Sequence, residues 1–574
     1  MKFLLKYLAP FKNRMILGFS IKVAGTVIEL FLPLILSHIL ENVIGQMNIT
    51  RVVLFGALMI LCSLVACFCN IIANRMASRV SKDFSGRMRR DLFEKIMYLS
   101  ARDTDRFTIP SLESRVTTDT YNVHNFVSMM QRMGVRAPIL LIGGLAITLL
   151  MDAYLALVMI AVLPFIFITV YFISKKGIPL YARVQESADN MVRVVREDTQ
   201  GIRVIKALSK TEYEHRRYDK VNLGLSGDER HAGTIMSAAN PIMTLLMNAA
   251  ITAVVALSAT RVAGHQSDPE TVIAFMQYFT LISMAMMSVS RIFVMYTKSA
   301  ASARRIAEVI EAPEEITVKS ETEFPPVNNG SFIEFDHVTF SYRGKHPNLE
   351  DVSFKLNRGE SLGIIGATGS GKTTLIRLLL RFYDVGEGAV RINGRDIRTI
   401  PKDELYSMFG IALQHDFLYA DTIEENINLG RGLSHEEISA AARIAQAEDF
   451  ILAFPDGYGH MLSQKATNIS GGQKQRLLIS RAIAAKPEIL VLDDSSSALD
   501  YKTDANLRRA LKQNLQNTTV VTVAQRVSSV KDSDLILVLD DGKIIGAGKH
   551  EELLESCLPY REISESQMGG AIVE

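Results

Sequence analysis

The chain has almost no net charge, since 63 Lys and Arg against 61 Asp and Glu leave a formal +2 over 574 residues. That balance argues against bulk polyelectrolyte character, and no nucleic-acid partner is expected. Cysteine is scarce too: of four, Cys62, Cys67 and Cys69 share one apolar stretch and Cys557 lies near the C-terminus. So few thiols, so placed, do not make a disulfide framework. No His or further Cys stands close enough to Cys67 and Cys69 to complete a metal shell, so the pair reads as buried filler in a membrane helix. No cleavable signal is expected either. "MKFLLKYLAPFKNRM" spaces its lysines among Leu, Phe and Tyr and reads as a basic amphipathic segment lying on the membrane surface.

What is present changes character along the chain. Six stretches near residues 15–40, 51–74, 133–151, 153–173, 241–262 and 271–294 are apolar and long enough to cross a bilayer, which takes about 20 residues. The two long connections between them, 75–132 and 174–240, each carry about a dozen Lys and Arg, including Arg87, Arg89, Arg90, Lys175, Lys176, Arg216 and Arg217. The short loops near 41–50, 151–153 and 262–270 have almost none. By the positive-inside rule the long loops and both termini are cytoplasmic, in a multi-pass protein of the cell membrane. Residues 75–106 and 182–220 repeat apolar residues at three and four, so the loops are expected to continue the membrane helices into the cytosol. Their turns are expected around "ESRVTTDTYNV" and "QGIRVIKALSK". A merely solvated helical hairpin is the plainer alternative.

The acidic, Pro-bearing stretch "EAPEEITVKSETEFPPVNNGS" reads as a linker over 311–330. Beyond it, "FIEFDHVTFSY" alternates as a strand does, and "SLGIIG" is a short buried run that leads into "GATGSGKTTL". Here Gly366, Ala367, Thr368, Gly369, Ser370 and Gly371 precede Lys372, Thr373 and Thr374, matching G-x-x-x-x-G-K-T. Glycines let the backbone turn its N–H groups inward on phosphate oxygens, and the following helix adds its N-terminal dipole. Lys372 would reach the β- and γ-phosphates of ATP, and the Thr373 hydroxyl would ligate Mg²⁺. "KPEILVLDD" supplies a buried strand that would deliver Asp493 to the same metal. "NISGGQKQRLLISRAIA" places Ser470, Gly471, Gly472 and Gln473 at the start of a helix, again a terminus suited to an anion.

With that third element the chain, from end to end, resembles an ATP-binding cassette exporter half-transporter. The resemblance implies a multi-domain fold. An all-α six-helix transmembrane domain over 1–310, with long cytoplasmic helix extensions, would precede an α/β P-loop nucleotide-binding domain over 331–574. The latter would include an antiparallel β subdomain and a helical signature subdomain. Residue by residue, it implies that Ser470 to Gln473 serve the ATP of a second half-transporter subunit, and that Tyr342 stacks on adenine. It implies too that Gln414 touches magnesium and relays to the crossing segments, and that "SALD", ending at Asp500, faces its counterpart across the dimer.

Two positions depart from that pattern. The family usually has Glu after the Walker B aspartate and a His downstream; here Asp494 and Gln525 stand there. Asp is one methylene shorter, and Gln has no cationic form with which to meet developing charge. The stretch before the signature, "LSQKATN" with Lys465, lacks the family's acidic, Gly-containing character. The expected reading is a weakly hydrolysing, degenerate site with an intact signature, as in one subunit of bacterial heterodimeric multidrug exporters. A homodimer with two slow sites, a lipid or peptide transporter, and a nucleotide-gated channel are the alternatives. For the hydrophobic or amphipathic substrate, charged Lys22 and Glu29 on one face of the first span and Met276, Met284, Met286 and Met287 in the sixth are candidate contacts. Structural pairing of the two charges with each other or with other partners, and ordinary packing of the methionines, would account for them equally.

Overall fold

The structure is a computed structural model. It describes residues 2–44, 48–263, 269–313, 316–327, 330–342, 344, 346–414, 417–495 and 497–568. The chain forms two compact units, one of Met1–Tyr98 with Phe107–Ala312, the other of Leu99–Arg106 with Pro313–Glu574. Parts of the short loops near 41–50 and 262–270, and of the linker, fall outside the described residues.

Every regular element among the described residues of the first unit is helical: α1 (Lys2–Leu8), α2 (Lys12–His38), α3 (Ile49–Met97), α5 (Ile109–Ser114), α6 (Thr120–Met151), α7 (Ala153–Ala207), α8 (Thr211–Ser237), α9 (Ala239–Ala263) and α10 (Pro269–Ile310), while the short α4 (Ala101–Phe107) belongs, but for its last residue, to the second unit. Six helical stretches are long and apolar enough to cross a membrane. With 55 residues, α7 extends about 80 Å, more than twice the roughly 30 Å of a hydrocarbon core. Its start is set by Asp152, whose carboxylate accepts from the backbone N–H of Tyr154 at 2.9 Å and of Leu155 at 3.2 Å. Asn48 caps α3 in the same way through Arg51 N–H.

The first turn does not fall around "ESRVTTDTYNV". Those residues run as helix, with one π turn at Arg115–Asp119. The reversal occurs at 98–108, where Thr108 takes a positive φ of 63°. The π turn is pinned by charge: buried Asp119 accepts from Ser302 Oγ and Arg305 Nε, each at 2.8 Å. A carboxylate so held fixes that turn more firmly than its sequence suggests. In the second loop the reversal comes at the end of "QGIRVIKALSK", at residues 208–210, with Ser209 at φ 51°.

Apolar packing centres on α10, where Phe275, Phe279 and Ile282 meet Leu155, Ala156 and Met159 of α7. The sixth-span methionines do not make one wall. Met286 is buried against Ile166 and Met243, whereas Met276 and Met284 are exposed. Cys67 lies on the exposed side of α3 rather than buried, and all four thiols are free.

The second unit holds two sheets. The smaller, in the order β2-β1-β4-β5, joins β1 (Ile333–Phe340), β2 (Leu349–Leu356), β4 (Glu387–Ile392) and β5 (Arg395–Asp396), all antiparallel. The larger runs β10-β9-β3-β8-β7-β6, from β3 (Ser361–Gly366), β6 (Phe409–Ala412), β7 (Ile489–Asp493), β8 (Thr519–Val523), β9 (Leu535–Asp540) and β10 (Lys543–Gly548). Only β9 and β10 pair antiparallel in it. The β7 run ILVLD is buried at every position, as a parallel strand covered on both faces must be. Around the sheets lie α11 (Lys372–Leu379), α12 (Lys402–Ser407), α13 (Ile423–Asn428), α14 (His435–Ile444), α15 (Glu448–Leu452), α16 (Gly471–Ala484) and α17 (Tyr501–Asn514). Helices α13 to α16 share a separate core built on Ile427, Ala442, Ile451 and Ile479.

The linker is more ordered than its composition suggests. Lys319 N–H donates to Arg398 O at 2.8 Å, Val327 N–H to Gly394 O at 2.9 Å, and buried Arg381 donates to Thr317 O at 2.7 Å.

Candidate nucleotide site

At the C-terminal end of the central strand β3 the chain turns sharply into α11. This is the crevice in which open α/β sheets bind ligands. Gly366 and Gly371 have φ of 157° and 104°. A Cβ on Gly366 would lie 2.1 Å from Leu539 O, and one on Gly371 2.8 Å from Leu349 Cδ2. No other residue fits either place, so the loop's geometry depends on those two glycines. Lys372 Nζ donates to Gly366 O at 2.8 Å and Ala367 O at 2.7 Å, folding its ammonium back over the loop. Burial lowers the Lys372 pKa, and the nearby Asp493 and Asp494 carboxylates oppose that. Ser370 Oγ is enclosed without a hydrogen-bond partner among the described residues, a polar atom left over in a cradle of N–H groups.

Asp493 ends β7 with its side chain buried. Thr373 lies exposed in the first turn of α11. Together with the amide oxygen of Gln414, these offer hard oxygen donors, a set that suits Mg²⁺ completed by phosphate and water. When bound, the ion would neutralise charge on the terminal phosphates.

Asp494 follows directly, held in a left-handed conformation with φ 50°. Its backbone N–H donates to Val523 O at 2.9 Å, and Ser497 Oγ donates to its carbonyl at 2.9 Å. Both residues singled out with it meet its carboxylate: Gln414 Nε2 donates to Asp494 Oδ2 at 3.1 Å and Gln525 Nε2 to the same oxygen at 3.2 Å. Burial raises the Asp494 pKa, partly offset by the Gln414 hydrogen bond and the Lys372 charge. A raised carboxylate is the stronger base.

Tyr342 stands beside the start of α11, its hydroxyl donating to Thr374 Oγ1 at 3.4 Å and accepting from Arg377 Nη1 at 3.3 Å. Phe340 and Tyr383 pack edge-on to its ring at 4.9 and 5.0 Å. Sequence reasoning missed Tyr383, whose hydroxyl donates to Asp105 Oδ2 in the 99–106 segment of this unit. The only signal was its place in "RFYD" after α11.

Ser470 caps α16 through a reciprocal pair: Gln473 N–H donates to Ser470 Oγ at 3.2 Å and Ser470 N–H to Gln473 Oε1 at 2.9 Å. Ser470 and Gly471 face solvent on this chain. Just before them Lys465 and Ala466 both adopt positive φ, 62° and 53°, where the expected glycines would sit without strain. Asp500 caps α17 by accepting from Thr503 N–H at 2.9 Å and Thr503 Oγ1 at 2.7 Å. The structure thus gives Asp500 a structural task and does not bring it to the P-loop residues.

Lys22 and Glu29 do not pair with each other. Lys22 donates to Asn70 and Asn74 of α3, and Glu29 accepts from Arg136 of α6.

Two family descriptions match this chain, ABC transporter transmembrane region over residues 15–286 and ABC transporter over residues 349–497. An uncharacterized ABC transporter ATP-binding protein of Mycobacterium tuberculosis (strain CDC 1551 / Oshkosh) is 32% identical over 573 residues, covering 99% of this chain and 98% of that protein. The uncharacterized ABC transporter ATP-binding protein YfiB of Bacillus subtilis is 32% identical over 569 residues, covering 98% of each. A bacterial Atm1-family ABC exporter with ATP bound aligns at a TM-score of 0.82, covering 97% of this chain and 99% of that one at 23% sequence identity, which shows the shared fold. Apolar helices of spanning length, a P-loop on a parallel sheet and relatives matched from end to end lead to one conclusion: this chain belongs to the ABC transporter family, a multi-pass membrane protein of exporter fold that carries its own ATP-binding domain.

Proposed function

We propose that this chain is one half of an ATP-driven exporter of hydrophobic or amphipathic compounds, and that its partner is a different half-transporter. Its own site binds ATP and Mg²⁺ and cleaves ATP slowly, while its signature completes the partner's competent site. Both termini and the nucleotide-binding domain face the cytoplasm, following the Lys and Arg bias of the long loops.

One observation carries the division of labour. The carboxylate that would polarise the attacking water is Asp494, short by one methylene, with a single oxygen already accepting from Gln414 and Gln525. Gln525 offers an amide where a cation would strengthen phosphate contact, so two weakening changes meet on one atom. The binding side keeps its residue types: the glycine-dependent turn at Gly366, the ammonium of Lys372 over that turn, the Thr373 hydroxyl and the buried Asp493 support a reading in which phosphate and magnesium are held, with Tyr342 offered to the adenine. An intact, exposed cap at Ser470 lends itself to a second subunit.

ATPase activity of the chain purified alone, compared with that of the pair formed with its partner, tests the proposal. Slow turnover alone and brisk turnover in the pair are expected. Brisk turnover by the chain alone would favour a homodimer and overturn the heterodimeric reading.

A further inference from the structure

Two tiers of charge cross the helices α2, α3 and α6 inside the membrane unit. Lys22, buried on α2, donates through Nζ to Asn70 Oδ1 at 2.7 Å and Asn74 Oδ1 at 3.2 Å. Glu29, seven residues on and on the same face, accepts from Arg136 Nη2 of α6 at 2.5 Å. At helical rise the tiers are about 10 Å apart. Arg132, one turn before Arg136, is exposed and bonds back to Ser128 of its own helix. Arg136, Glu29 and Arg132 each lie near enough to Lys22 to act on its charge.

The cluster is unbalanced. Three cations meet one carboxylate, and Lys22 is held by neutral amides that cannot offset its charge. Glu29 Oε2 and Arg136 Nε are each enclosed without a hydrogen-bond partner among the described residues. Uncompensated charge in an apolar bundle is expensive and marks a functional site by default. Excess positive charge favours an anion.

We propose that Lys22, Arg132 and Arg136, oriented by Asn70, Asn74 and Glu29, bind the anionic headgroup of an amphiphile. The inference rests on the transporter reading, whose substrate class it names, and is independent of how the two ATP sites divide their work. The apolar spans around the cluster supply the surface for the tail.

The test uses the full chain in phosphatidylcholine nanodiscs, with ATP binding measured on the same samples. Radiolabelled dodecyl phosphate, dodecyltrimethylammonium and inorganic phosphate are titrated in parallel. Dodecyl phosphate is expected to bind at least about tenfold more tightly than the ammonium, the value of one charge-assisted hydrogen bond. Arg132→Gln, at an exposed position, should weaken that preference, and the charge-neutral double variant Glu29→Gln/Arg136→Gln should abolish it while still binding ATP. Equal binding of the two amphiphiles, or a preference that survives both variants, overturns the site. Inorganic phosphate competing as well as dodecyl phosphate overturns the amphiphile. Loss of ATP binding by the unaltered chain would instead count against the transporter reading, so the two failures are distinguishable.

Discussion

Replacing Asp494 by Glu should raise hydrolysis at this chain's own site. The native carboxylate falls short by one carbon–carbon bond, about 1.5 Å, and its Oδ2 accepts from Gln414 at 3.1 Å and Gln525 at 3.2 Å. A misplacement of that size costs about 10²-fold, or roughly 2.7 kcal/mol of barrier. Glu keeps the charge and carries it past the two amides. Gln525 remains, however, so the recovery should stay below that ceiling, at roughly ten- to fiftyfold. ATP affinity should hold, because Lys372, Thr373 and Asp493 are untouched. The measurement is single-turnover hydrolysis in the assembled pair with the partner's own base removed, alongside equilibrium ATP binding. A gain under about threefold, less than 0.7 kcal/mol, with ATP binding intact would refute the claim that Asp494 is limited by reach.

Three other perturbations have definite outcomes. Ser470→Ala removes the acceptor of the α16 cap, costing about 1 kcal/mol of stability; it should cut steady-state ATPase of the pair severely while this chain's own ATP binding persists, and unchanged turnover would refute the shared signature. Lys465→Gly replaces a left-handed lysine at φ 62° and should stabilise the chain by up to about 1 kcal/mol, read as a higher thermal midpoint; a lower one would mean that the Lys465 side chain contributes more than its backbone costs. Glu437 in the α14 capping box is held well below the usual range, at about 2, first by its hydrogen bond to Lys486 and then by Ser434. A depressed carboxylate adds stability above its unfolded value near 4.5 that is lost as pH falls towards 2, so the stability gap to Glu437→Gln should be full at pH 6 and close over that window.

Much of the architecture was legible because apolar length and glycine spacing are local signals. Six apolar runs were enough to find the spans, and G-x-x-x-x-G-K-T after a buried run located the turn between β3 and α11. The turn of the first long loop was not legible. "ESRVTTDTYNV" looks like a break because of its Thr and Asp residues, yet Arg305 and Ser302, more than 180 residues away, hold Asp119 inside a π turn. Long-range ion pairing overrode local propensity there. The order of the linker was not legible for a similar reason: its Pro-bearing acidic text has no periodicity, and Arg381 and two backbone bonds come from beyond it. Lys22 and Glu29 share a helix face, and only the packing of α3 and α6 reveals that each has a separate partner.

Asp494 and Gln525 were each visible in the sequence as a departure, but not their dependence on each other. In the fold they are a bonded pair, and Gln414 competes for the same oxygen. A glutamate at 494 would reach past both amides and leave Gln525 without its acceptor, while a histidine at 525 alone would meet a carboxylate too short to share with water. Residues in such direct contact couple by about 0.5–3 kcal/mol, so the two departures constitute one change of state at the site.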